Sequence, residues 1–160
     1  MSDKVELDAF YPHAPDKVWR ALTEPEALRR WMMPTDFRPR VGHKFRFEDP
    51  DDRGHSTPVR CEVVELDAPR RLAYTWQSAD DPEPSLVRWT LEPEEAGTRV
   101  RLVHTGLQTP VTTLEASLNW RGALHSALPS ELEAPRVVRL GRATVSRRIA
   151  LVAAGYREER

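Results

Sequence analysis

Apolar and polar residues alternate most regularly over residues 85–107. Val87, Trp89 and Leu91 share one face of an extended chain, with Leu86, Arg88 and Thr90 on the other. Beyond residues 93–97, Val100, Leu102 and His104 alternate with Arg99, Arg101 and Val103. The pattern predicts two long strands joined by one turn, with Gly97 supplying a positive φ. A hairpin with one apolar face needs a cover, which must reach Trp89, Leu91 and Leu102.

The same period of two recurs upstream. Val5, Leu7 and Ala9 alternate with Glu6 and Asp8 in a first strand that Pro12 and Pro15 end. After Gly42, Phe45 and Phe47 face away from Lys44, Arg46 and Glu48 in a second. Residues 59–66 read as a third, with Pro58 at its start, and residues 71–76 as a fourth that turns Leu72, Tyr74 and Trp76 inward. Between the first two strands, residues 16–22 read as a short helix with Asp16 in its first turn. Thr23-Glu24-Pro25-Glu26 then has the form of a capping box, with Thr23 as cap of a second helix ending near Trp31.

From Val111 the period lengthens to three or four. Val111, Leu114, Leu118 and Leu128, joined by Trp120 and Leu124, predict a helix of about five turns that ends near Pro129. Short connections between consecutive strands imply antiparallel pairing. The fold class expected is therefore α+β: a curved antiparallel sheet of about six strands around a long C-terminal helix, with two short helices after strand 1. The domain covers residues 1–132. Residues 133–160 form a basic extension in which Val145, Ile149, Val152 and Tyr156 recur at helical spacing behind Thr144.

Charge and composition narrow the function classes. A chain of 160 residues with net charge −1 offers no global attraction for nucleic acid or an anionic membrane. Between Glu133 and Arg160, seven arginines stand against three glutamates, so this stretch carries about +4 and the rest about −5. The basic stretch lacks interleaved aromatics and reads as an exposed tail or a self-association contact, not a nucleic-acid surface. The single Cys61 excludes an intramolecular disulfide, and no stretch has the length of a signal peptide or membrane span. A cytoplasmic protein is expected.

Three segments carry a family resemblance: VWRALTEPEAL followed by Trp31, then VELDAPRRLAYTW from Val64, then GTRVRLVHTGL from Gly97. In this order they resemble the bacterial relatives of the C-terminal domain of the heat-shock protein 90 ATPase activator, within the START-like, birch-pollen-allergen-like superfamily. The resemblance spans residues 5–128 and implies a helix-grip fold with a cavity between sheet and helix. The chain departs from that family in carrying Gly42-His43 in place of paired glycines, Asn119-Trp120 in place of Gly-Trp, and an extension past Pro129.

Candidate chemistry is sparse. His13, His43, His55, His104 and His125 have no metal-ligand spacing, and the acidic residues 48–54 read as a solvated turn without the glycine and final glutamate of a calcium loop. No motif implies a cofactor, hydrolysis or phosphoryl transfer. Cys61, beside Val63, reads as packing and not as a nucleophile. His104 reads as a buried neutral imidazole ahead of a catalytic base. Arg121 reads as a solvated edge position.

Trp31, Phe45, Phe47, Tyr74, Trp76 and Trp89 form an inward aromatic set. With Cys61, Val63, Leu102, His104, Leu114 and Leu118 they are expected to line a cavity for a small hydrophobic or aromatic molecule, oriented by Tyr74 and His104. Two alternatives stay open: a chaperone cofactor acting through protein contacts, and a cyclase or hydrolase using His104 and Tyr74.

Overall fold

The computed structural model describes residues 4–50 and 56–134. The basic extension beyond Ala134, with Val145, Ile149, Val152 and Tyr156, lies outside the described residues, as does most of the acidic turn.

Six antiparallel strands form one sheet: β1 (Val5–Tyr11), β2 (Lys44–Pro50), β3 (Ser56–Asp67), β4 (Arg71–Trp76), β5 (Ser85–Glu94) and β6 (Gly97–Thr105), in spatial order β1-β6-β5-β4-β3-β2. Two short helices, α1 (Pro15–Thr23) and α2 (Pro25–Trp31), link β1 to β2 at opposite edges of the sheet. One helical run then crosses the sheet: α3 (Pro110–Gly122), a π-helical segment (Ala123–Ala127) and α4 (Leu128–Glu133). This is a helix-grip-like α+β architecture.

Alternation dictates the sheet's inner face. Along β5 and β6, Val87, Trp89, Leu91, Val100, Leu102 and His104 are buried, while Arg88 and Arg101 face solvent. Trp89 lies opposite Leu102, and Val87 opposite His104. A register shift between Val63 and Glu65 bulges β3 and helps the sheet to curve. Trp120, Leu124, Leu128 and Leu132 from the helical run complete the core with Trp31, Phe37, Phe45 and Phe47.

Several local expectations are corrected. Ala96, not Gly97, carries the positive φ in the hairpin, at 69°. Gly97 is required for a different reason: a Cβ there would collide with the Tyr11 carbonyl and the Phe10 ring. Thr23 does not cap α2; its hydroxyl donates to the Trp19 carbonyl at 2.8 Å, and Glu24 occupies the cap position without a side-chain bond. β3 begins at Ser56, so Pro58 lies within it.

The helical run does not stop at Pro129. In the π register Leu128 N–H bonds to the Ala123 carbonyl, and the carbonyl of Leu124 would next need an N–H from residue 129, which proline lacks. The Tyr11 hydroxyl donates to it instead, at 2.6 Å.

Candidate functional site

A cavity of about 130 Å³ opens between one end of the sheet and the first half of the helical run. Val59 on β3, Trp76 at the end of β4 and His104 on β6 form its sheet side. Met32 and Met33, just beyond α2, and Leu107, just beyond β6, close the apolar part. Ser78 and Asp81 come from the β4–β5 connection; Thr112, Glu115, Ala116, Asn119 and Trp120 come from α3, with Ala123 following.

The aromatic wall is a set of tilted rings. Trp76 and Trp120 stand 5.3 Å apart at 56°, and Trp76 meets the His104 ring edge-on at 5.9 Å. Trp89 lies behind Trp120 in a T-shaped contact at 5.7 Å. Such edge-to-face geometry locks the rings beyond what area burial alone would do.

A directional hydrogen-bond chain holds this wall. The Trp120 indole N–H can only donate, and it does so to His104 Nδ1 at 3.0 Å. The neutral imidazole therefore carries its proton on Nε2, which donates to Ser85 Oγ at 2.7 Å. Ser85 in turn donates to the Trp76 carbonyl at 2.9 Å. The ladder makes this possible because Ser85 pairs with Trp76 across β5 and β4, while Val87, two residues on, pairs with His104. With 1% exposure, His104 has its pKa pushed down to about 4, because burial penalises the charged ring.

Of the twelve residues expected to line a cavity, Trp76 and His104 do so. Trp31, Phe45, Phe47, Cys61, Val63, Tyr74, Trp89 and Leu102 are packed in the core instead. The Tyr74 hydroxyl accepts the Trp89 indole N–H at 3.0 Å, and burial raises its pKa. Burial likewise raises the Cys61 thiol, which bonds weakly to the Val59 carbonyl and presents no thiolate.

Leu114 and Leu118 fall on the opposite side. They are 60% and 61% exposed, and Val111 joins them on the outer face. At about 100° per residue, these three lie roughly 150° around the helix from Trp120, Ala123, Leu124 and Ala127. The sequence pattern thus merged two apolar stripes of opposite phase. The larger stripe wins the sheet, and the residues brought to the cavity with it are the polar ones at 112, 115 and 119.

Apart from Val59 and Trp120, few of these added lining residues belong to a regular apolar pattern. The two-residue step from Leu118 to Trp120, which cannot stay on one helix face, was the available signal. Among the described residues, no group of three His, Cys, Asp or Glu is placed to hold a metal. No helix among them is long and apolar enough to cross a membrane.

Comparison with solved structures places this architecture among bacterial proteins. Protein MLL2253 from Mesorhizobium loti is 32% identical, with a TM-score of 0.72 over 81% of this chain and 96% of that one. Protein CV1439 from Chromobacterium violaceum is 22% identical, with a TM-score of 0.75 over 84% of this chain and 100% of its own. CalU16 from Micromonospora echinospora, 22% identical, matches 94% of this chain and 87% of its own at a TM-score of 0.69. A search of curated proteins finds no match. The family model described as Activator of Hsp90 ATPase homolog 1-like protein matches residues 12–133, and the chain belongs to that family.

Proposed function

We propose that the protein binds a compact apolar or aromatic small molecule in the cavity between the sheet and α3. The observation that carries this reading is the cavity itself. Its volume of about 130 Å³ approaches the roughly 150 Å³ at which an apolar cavity admits a benzene ring, and Trp76, Trp120, Met32 and Met33 offer polarizable walls. A few polar groups at the mouth suit orientation of the guest. Binding is favoured over turnover because both ring nitrogens of His104 are engaged and Tyr74 does not reach the cavity.

The test is native mass spectrometry of the protein as purified, followed by thermal shift against single-ring and small apolar compounds. Stabilisation by some of them is expected, and its loss in Ala116→Phe, which fills the space, locates the site. A panel that shifts neither protein overturns the reading.

A second reading makes the protein a chaperone cofactor. It is favoured by the family description and by the exposed apolar stripe of Val111, Leu114 and Leu118. An ATPase assay with the same organism's heat-shock protein 90 tests it: stimulation lost in Leu114→Lys/Leu118→Lys supports it, and an unchanged rate on adding the wild-type protein removes it.

A further inference from the structure

The cavity is electrically one-sided. Among the described residues, its charged lining is Asp81 and Glu115, with no lysine or arginine. Neither carboxylate takes part in an ion pair among the described residues. On α3, the positions three and four residues from Glu115 are Val111, Thr112, Leu118 and Asn119, so no helical neighbour neutralises it. Arg121 does not line the cavity and donates to Ser117 Oγ at 3.2 Å.

Asp81 is held in place. Its Oδ2 accepts the Ser78 N–H at 2.9 Å and its carbonyl accepts the Gln77 side-chain amide at 3.1 Å, so the loop is braced while Oδ1 is left for a guest. Half-buried Trp76, at the end of β4, lines the same cavity, and an indole is the side chain best suited to receive a cation over its face. An anionic guest would meet two carboxylates with no compensating charge. A neutral guest would bring no charge of its own to offset theirs.

We propose that the ligand is a compact aromatic ammonium, its ring lodged against the wall that Trp76 and Trp120 form and its protonated amine toward Asp81 and Glu115. This rests on the small-molecule reading above and names the ligand class for the same cavity. The size of the space limits the apolar part to about one ring. The unpaired carboxylates set its charge, since each N–H donated to them is a charge-assisted bond.

The experiment titrates the full chain with phenethylamine, phenethyl alcohol and 3-phenylpropionate, which share a ring and a short arm but differ in charge. Affinity is read from the indole N–H resonances of Trp76 and Trp120 in a ¹⁵N spectrum. The amine is expected to bind most tightly and the carboxylate least, with the amine's advantage shrinking as salt is added. In Asp81→Asn/Glu115→Gln the amine is expected to lose about tenfold in affinity, approaching the alcohol. Equal binding of amine and alcohol, or preference for the carboxylate, overturns the cationic ligand while leaving the cavity reading intact. No perturbation of either indole by any of the three overturns both.

Discussion

The hydroxyl of Tyr11, the last residue of β1, donates to the main-chain carbonyl of Leu124 at 2.6 Å, 113 residues away in sequence. This bond completes the π-helical segment at the point where Pro129 cannot. Tyr11 is therefore expected to matter through one oxygen atom. Tyr11→Phe leaves a buried carbonyl unpaired and is expected to cost about 1–3 kcal/mol in urea unfolding. Pro129→Ala supplies an N–H to the same stretch, so the cost of Tyr11→Phe is expected to shrink in that background, which a double-mutant cycle measures.

Buried neutral His104 makes stability depend on pH. The unfolded imidazole takes a proton below about pH 6.5, whereas the folded one resists until about pH 4. The unfolded state thus binds more protons across this window, and stability falls as pH drops from 6.5 to 4 and levels off below it. About 3 kcal/mol is at stake by that linkage. The difference between wild type and His104→Asn, followed by urea midpoint against pH, is expected to narrow by that order on acidification. Imidazole ¹⁵N shifts at neutral pH are expected to show the proton on Nε2.

Neighbouring residues in the hairpin turn respond with opposite signs. Gly97→Ala drives a methyl into the Tyr11 carbonyl and is expected to destabilise by about 1–3 kcal/mol. Ala96→Gly relieves a left-handed backbone and is expected to stabilise by a few tenths to about 1 kcal/mol. Thermal melts of the two variants are expected to move in opposite directions.

Leucines on the two faces of the helical run are likewise unequal. Leu118→Ala, on the exposed face, is expected to change stability by less than about 0.5 kcal/mol. Leu124→Ala, fully buried, is expected to cost about 2–5 kcal/mol. Chemical denaturation separates them without reference to any ligand.

Strands were legible because their signal is local: each residue's face follows from its neighbour's, and Trp89, Leu102 and His104 lie where alternation puts them. The cavity was less legible because, beside His104 and Trp76, much of its boundary is made by residues that no local period marks. Asp81 and Ser78 come from a loop, and Met32 and Met33 follow the end of a helix. Helix phase was the decisive error. Leu114 and Leu118 obey the helical period as well as Leu124 does, and only competition for the sheet decides which stripe is covered. The π-helical segment was equally hidden, since Pro129 reads as a terminator unless a distant tyrosine is known to take over its missing donor.

The strand order has a consequence for how this chain is made. Among the described residues, β1 sits at an edge of the sheet with β6 as its one neighbour, Val5 opposite His104 and Tyr11 opposite Thr98. β1 therefore waits for β6. During synthesis, Val5, Leu7 and Ala9 have no sheet partner until nearly a hundred further residues have emerged, while β2 through β5 can pair in sequence as they appear. Assembly is then set by one late, long-range closure that joins the two ends of the domain, the kind of step that slows folding most.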